Sequence, residues 1–313
     1  MEKTILQLFP QEYRNFWQQV SSAQGKIQEI RLRVGRPVII HSCGEEYFLS
    51  ERGELMPRGN VGMASKYIIT GRELEQIIQH ICHYSPYAFE EELRRGFLTV
   101  AGGHRVGAVG QVVLEADGSV RTIKNISGLN IRIAHQIKGA ADEIISRLYS
   151  NQCLRSTLII SPPGCGKTTM LRDMVRQVSD GTCFGKGMTV GVVDERSELA
   201  GSYLGIPQND LGMRTDVLDG CPKKEGMLML LRSMSPNVIA VDEVGEQGEW
   251  DVLRQASACG CKLLATVHGD DMKDVERRFG VARECLEQIF EMFLILGKVA
   301  GKCKVVSIVE RRY

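Results

Sequence analysis

Aromatic residues are scarce in this 313-residue sequence, 6% of the total, and they are dispersed. That leaves no basic-aromatic surface on which single-stranded nucleic acid would stack. Excess charge of either sign is missing too. There are 39 Lys and Arg against 38 Asp and Glu, for a net charge of +1, and both halves are close to balance. Bulk electrostatic attraction to nucleic acid or anionic lipid therefore has no basis in composition. None of the ten cysteines stands in C-x-x-C spacing with another. Cys259 and Cys261 flank a single glycine, too tight for a zinc knuckle. Scattered thiols of this kind read as reduced, intracellular and mostly packed in cores. The opening "MEKTILQLFPQEY" lacks the basic and then apolar regions of a signal peptide. The most apolar run, residues 289–301, contains Glu291 and Lys298 and falls short of the ~20 apolar residues a bilayer span needs. These absences predict a cytoplasmic protein that meets a membrane only through partners. No internal repeat and no low-complexity tract interrupts the chain.

What is present divides in two. In the second half, short runs rich in Val, Ile and Leu ("TLIIS" at 157–161, "VGVVD" at 190–194, "VIAVD" at 238–242, "LLATV" at 263–267) have the composition of strands buried on both faces of a parallel sheet. Helical patterns fill the gaps. Met170, Leu171, Met174, Val175 and Val178 share one face at a 3.6-residue period. "GMLMLLRSM" and "DVLRQASAC" occupy later gaps, and residues 271–290 are expected to form one longer helix. The final "MFLILGKVAGKCKVVSIVE" reads as two strands in an antiparallel hairpin that closes the sheet. Alternating strands and helices argue for an α/β fold with right-handed crossovers.

The first half lacks that alternation. Thr70, Gly71, Arg72 and Glu73 form a capping box opening a helix whose apolar face is Leu74, Ile77, Ile78, Ile81 and Cys82. Strand-like segments surround it: "RPVIIH", "FLTVAGGHRVGAVGQVVL" and "NIRIAH". The expectation is an α+β domain over 1–150 and an α/β domain over 151–313, with the boundary in "LYSNQCLRS", residues 148–156.

The chemistry concentrates in the second half. Residues 161–168, "SPPGCGKT", match the phosphate-binding P-loop except that Ser161 stands where the first glycine is usual. Pro162, Pro163, Gly164, Cys165, Gly166 and Thr169 complete the loop, whose glycines let backbone amides wrap an anion. Lys167 is suited to reach the β- and γ-phosphates, and Thr168 to ligate Mg²⁺. A helix beginning near residue 167 offers its N-terminal amides to the same phosphates. "PNVIAVDEVGE" ends an apolar strand in two carboxylates. Asp242 is placed to hold the Mg²⁺ shell, and Glu243, pointing the other way, to polarise water. "VGVVDERSELAG" brings Asp194, Glu195 and Glu198 to another strand end, on the edge where open α/β sheets bind ligands. His268 follows the strand in "KLLATVHGDD" and is a candidate γ-phosphate sensor. The connection over 197–222 is a long glycine-studded loop, and Arg214 within it reads as a solvated surface residue in preference to a contact with a neighbour's nucleotide.

The order of these elements resembles the ATPase core of bacterial type II and type IV secretion ATPases. Glu195 and Glu198 match their acidic box, Asp242 and Glu243 their Walker B pair, and "TVHG" their histidine box. The resemblance implies a RecA-like P-loop core. It also implies that "GGHRVGAV" and "LNIRIA" lend Arg105 and Arg132 to a neighbouring subunit's nucleotide in a homo-oligomer, a hexameric ring. The chain departs from those ATPases in lacking their zinc-binding cysteine quartet and in carrying a true Asp at 242. Nearly the whole chain, through "EIRLRVGRPVII", "VGAVGQVV", "LIISPPGCGKTTMLRD", "GVVDERSELAG" and "VIAVDEVG", is similar to the stage III sporulation protein AA family of endospore-forming bacteria. That implies an ATP- and Mg²⁺-dependent motor of the mother cell, working with membrane-embedded proteins of a secretion-like channel to the forespore. Two rivals use the same core: a nucleic-acid translocase or ATP-gated nucleic-acid binder, which the charge balance disfavours, and a nucleotide-responsive scaffold with negligible turnover. A nucleotide kinase fits less well, because no lid or arginine cluster follows the P-loop.

Overall fold

The computed structural model describes residues 3–22, 27–57, 66–84, 89–94, 96–299 and 301–311. The chain divides into two compact units, residues 1–135 and 136–313.

In the first unit, helices α1 (Lys3–Leu6) and α2 (Gln11–Ser22) precede strands β1 (Ile27–Arg33), β2 (Ile39–Ser42), β3 (Glu45–Leu49) and β4 (Leu55–Pro57). Helices α3 (Gly71–Ile81) and α4 (Glu90–Arg94) lead to β5 (Phe97–Val100), β6 (His104–Leu114) and β7 (Val120–Arg132). The seven strands form one antiparallel sheet in the order β4-β3-β2-β1-β7-β6-β5. Period-2 alternation puts Ile30, Leu32, Val106, Leu129 and Ile131 in a core with Trp17, Leu74 and Ile77 from the helices and Phe9 from the turn before α2. The α3 capping box has its full geometry: Thr70 Oγ1 accepts from Glu73 N at 3.2 Å, and Thr70 N donates to Glu73 Oε2 at 2.8 Å.

The second unit begins with residues 136–154, which belong to its core through Ala141, Ile144, Leu148 and Leu154. The division thus falls earlier than the composition of "LYSNQCLRS" placed it. That stretch is a hairpin of β8 (Tyr149–Ser150) and β9 (Cys153–Leu154), turned by Asn151 and Gln152, both with positive φ. Its turn-rich composition reads as a linker in sequence, but the chain on both sides packs into one core.

The strands β10 (Thr157–Ser161), β11 (Val190–Asp194), β12 (Thr215–Asp219), β13 (Val238–Val241), β14 (Lys262–His268), β15 (Met292–Val299) and β16 (Lys302–Glu310) form a seven-stranded sheet. Its order is β12-β11-β13-β14-β10-β15-β16, parallel except for the antiparallel edge pair β15–β16. Helices α5 (Lys167–Asp180), α6 (Lys223–Ser233), α7 (Gln247–Ala258), α8 (Met272–Phe279) and α9 (Arg283–Ile289) cover it. Residues alternate between two cores. Leu158, Ile160, Ile239, Val241 and Val267 pack with α6 to α9. Ile159, Val190, Val192, Ala240 and Leu264 pack with Leu171, Met174, Val175 and Val178 of α5. Burial on both faces is the reason these strands read as continuous apolar runs.

Two expectations change. The long helix over 271–290 is two short ones, because Gly280 ends α8 in the left-handed region, φ 64°, and its N–H caps on Glu276 O at 2.9 Å. The 197–222 connection is not all loop. It contains β12, an edge strand whose mixed burial gives no apolar run to read.

Candidate nucleotide site

Four strand ends meet at one edge of the parallel sheet. Register places Ser161 of β10 beside His268 of β14, while β11 and β13 run level from Val190 and Val238 to Val193 and Val241, so Asp194 and Asp242 follow side by side.

The loop after β10 starts with Ser161, fully buried, whose Oγ donates to Pro162 O at 2.7 Å. Gly164 and Gly166 both lie in the left-handed region, with φ of 69° and 80°, which a side chain would strain. Gly164 is exposed, and a Cβ there would meet nothing within 4 Å, so the loop is open on that side. Pro163 and Gly166 are exposed, Pro162 and Thr169 half-buried, and Cys165 is buried. Gly166 is the N-cap of α5, which turns the first amides of a 14-residue helix toward the loop. Cys303 of β16 donates through Sγ to Gly164 O at 3.5 Å.

Lys167 and Thr168 reach across to the end of β13. Thr168 Oγ1 donates to Asp242 Oδ2 at 2.7 Å, and Lys167 Nζ donates to Glu243 Oε1 at 2.6 Å. One hydroxyl of β14 sets both acids: Thr266 Oγ1 accepts from Glu243 N at 2.8 Å and donates to Asp242 Oδ1. Glu243 itself has φ 56°, a conformation that costs a non-glycine residue about 1–3 kcal/mol and persists where its surroundings over-determine it. His268 Nε2 lies 3.0 Å from Glu243 Oε1, and Arg196 Nη1 donates to Glu243 Oε2 at 2.7 Å. Burial pushes the Glu243 carboxyl up, but the Lys167 ammonium, with His268 and Arg196 behind it, holds it below the usual carboxylate range.

The β11 end is built around Asp194, 2% exposed. Its two oxygens accept from Glu198 N at 2.8 Å and Ala200 N at 2.7 Å, and burial still raises its carboxyl above the usual range. Arg172 of α5 donates to Glu198 O and Leu199 O at 2.5 and 2.7 Å, which ties this turn to the P-loop helix. Glu195 turns to a lysine of α6. Its Oε2 accepts from Lys223 Nζ at 2.8 Å, and the same Lys223 reaches Glu249 Oε1 at 3.1 Å. Asp194, Glu195, Arg196, Glu198, Lys223, Asp242 and Glu243 line one cleft.

Arg105 and Arg132 belong to the first unit, directly opposite each other on β6 and β7. Arg132 Nε is 3.7 Å from Glu29 Oε2, and the Arg105 guanidinium lies 4.9 Å over the Phe97 ring. Arg214 is exposed, as expected of a surface residue, and donates through Nη1 to Ser179 O at 2.9 Å, so it also caps the carbonyl end of α5.

A family model described as "Sporulation stage III, protein AA" matches residues 1–313. The chain belongs to that family. The Stage III sporulation protein AA of Bacillus subtilis (strain 168) is 38% identical over 308 residues, 98% of this chain and 94% of the relative. Among solved structures, the Legionella pneumophila ATPase DotB is 15% identical with a TM-score of 0.56, covering 93% of this chain and 77% of that one. The pilus retraction motor PilT, solved with bound ADP, is 16% identical with a TM-score of 0.61, covering 92% and 80%. At such identities the likeness concerns the fold alone: this family member shares the α/β architecture of DotB and PilT.

Sequence reading missed four residues of the site. Thr266 had a signal, as the polar residue inside an otherwise apolar strand, and Arg196 had one in its place two residues past the end of β11. Lys223 and Arg172 had none, since a lysine opening a helix and an arginine within one are ordinary in any sequence. Among the described residues no helix is long and apolar enough to cross a membrane.

Proposed function

We propose that this protein binds and hydrolyses ATP with Mg²⁺, as a homohexameric ring that energises a secretion-like complex between mother cell and forespore. The observation that carries the reading is the convergence of Thr168 on Asp242 and of Lys167 on Glu243, at 2.7 and 2.6 Å. A glycine loop suited to phosphate, a hydroxyl–carboxylate pair suited to a metal and a carboxylate suited to orient water meet at one sheet edge.

The residues fit the groups proposed. The loop amides around Gly164, the α5 amides and Lys167 would hold the phosphates. Thr168 and Asp242 are an all-oxygen donor pair suited to Mg²⁺, which when bound would neutralise phosphate charge. Glu243 would orient the attacking water and accept its proton. Phosphoryl transfer asks a protein for positioning and charge more than covalent chemistry, and this cleft supplies both. Arg105 and Arg132 would act on a neighbour's nucleotide, so isolated monomers would turn over slowly. The balanced charge of the chain argues against nucleic acid as the partner.

Steady-state ATPase measured across protein concentration, beside Glu243→Gln, tests the reading. Activity rising faster than linearly with protein and lost in the variant supports a shared-site motor. Tight ATP binding with no turnover in either protein would instead favour a nucleotide-responsive scaffold.

A further inference from the structure

The Glu243 carboxylate has three partners, and they divide between its two oxygens. Lys167 Nζ at 2.6 Å and His268 Nε2 at 3.0 Å share Oε1, while Arg196 Nη1 holds Oε2 at 2.7 Å. Their duties differ under the ATPase reading, on which this inference rests. Lys167 has to turn to phosphate oxygens, and in doing so it leaves a carboxylate whose side chain is only 18% exposed. A carboxylate that loses its nearest counter-charge in such a place either finds another or swings away.

Arg196 is built to be that other cation. It sits in the turn after β11, and that turn is fixed from both sides. Asp194 accepts from the backbone N–H groups of Glu198 and Ala200, and Arg172 of α5 holds the carbonyls of Glu198 and Leu199. Ser197 Oγ adds a bond to Asp219 Oδ1 at 2.6 Å. The guanidinium therefore reaches Glu243 from a braced backbone, and from an element separate from the phosphate loop. Its side chain is 65% exposed and takes the oxygen that Lys167 does not use.

We infer that Arg196 is the positioning residue that keeps Glu243 aimed while Lys167 changes partner from carboxylate to phosphate. Nucleotide binding and the Arg196–Glu243 contact are then coupled. Without Arg196, taking Lys167 away from Glu243 leaves the carboxylate with His268 alone, and the nucleotide has to meet that cost.

A double-mutant cycle read by binding of a fluorescent ATP analogue with Mg²⁺ tests this on the full chain. Arg196→Ala should weaken binding about tenfold, the scale of a lost hydrogen bond to a charged group. In the Glu243→Gln background the same truncation should change nothing, because the carboxylate it serves is gone. Arg196→Lys should fall between wild type and Arg196→Ala. Equal weakening in both backgrounds would overturn the inference and make Arg196 a direct phosphate contact. Unchanged binding by Arg196→Ala, in a protein that binds the analogue, would overturn it while leaving the ATPase reading in place. A wild-type chain that binds no analogue would overturn both.

Discussion

The ammonium of Lys167 lies 2.6 Å from a carboxylate oxygen of Glu243, and the two side chains are only 8% and 18% exposed. Glu243 thus competes with a phosphate ligand for the Lys167 ammonium. Glu243→Gln should bind ATP several-fold more tightly than wild type, since Lys167 is released, while turnover falls about 10²–10⁴-fold with loss of the general base. Lys167→Ala should lose binding and turnover together. Equilibrium binding beside steady-state ATPase separates the two outcomes, and a Glu243→Gln that binds more weakly would remove the competition argument.

Thr266 is fully buried, and one hydroxyl serves two acids, accepting from Glu243 N and donating to Asp242. Thr266→Val keeps the shape and leaves both groups without that partner. Destabilisation of about 1–3 kcal/mol is expected for an unsatisfied buried group, together with a fall in ATP turnover as Glu243 leaves its left-handed backbone. Denaturant melts and ATPase rates report the two effects. A variant equal to wild type in both would show that Glu243 holds its conformation by other means.

Much of this site was legible because the chemistry repeats a spacing. "SPPGCGKT" and "VDEVG" carry their own order, and the apolar strands on which they sit are buried on both faces. The residues between these motifs were harder to read. Lys223 binds Glu195 and Glu249 from 28 and 26 positions away in sequence, a meeting that the strand order of the sheet alone creates. The first unit was legible where one face is buried, as in α3. It was poorly legible in β1 and β3, where charges such as Glu29, Arg31 and Glu46 alternate with few apolar residues, and in β4, which is only three residues long. Edge strand β12 failed for the same reason: a half-exposed strand has no apolar run to announce it.

Arg105 and Arg132 face each other across β6 and β7, so either could serve a neighbour's nucleotide in a ring. If one of them does, its alanine variant and Glu243→Gln are each inactive, but the mixture recovers part of the wild-type rate. Recovery occurs because some interfaces then pair an intact arginine with an intact Glu243. Mixing Arg196→Ala with Glu243→Gln should recover less, since both residues serve the same subunit's site. No recovery for either Arg105→Ala or Arg132→Ala would remove both from a trans role.

Asp173 of α5 is nearly fully buried and accepts from Ala141 N at 2.9 Å, Gln177 Nε2 at 2.9 Å and Arg176 Nη2 at 2.7 Å. It pins the segment entering the second unit to the P-loop helix. Burial pushes its carboxyl up, but those donors win and hold it below the usual range. A depressed carboxyl stabilises above its unfolded pKa and loses that contribution as pH falls through the folded one. Melting temperature should therefore drop below about pH 4. Asp173→Asn should cost about 1.5–3 kcal/mol at neutral pH and flatten the acid dependence. An unchanged acid slope in the variant would place the acid sensitivity elsewhere.

Lys223 joins two carboxylates from different elements, Glu195 after β11 and Glu249 of α7, and Glu249 Oε2 in turn accepts from Gly245 N and Glu246 N just past Glu243. Burial would push the Lys223 ammonium down, yet its bonds to Glu195 and Glu249 prevail and hold it above the usual lysine range. A raised lysine stabilises fully below its unfolded pKa and loses the contribution only as pH rises through the folded one. Across pH 6–9 its effect should therefore be flat. Lys223→Met leaves two acids facing each other, and breaking a buried pair in this way costs about 3–5 kcal/mol. Adding Glu249→Gln to Lys223→Met should return part of that loss, because it removes the uncompensated charge while keeping an acceptor for the Gly245 amide. A double variant less stable than Lys223→Met would mean that the Glu249 carboxylate matters to the turn in its own right, independent of the lysine.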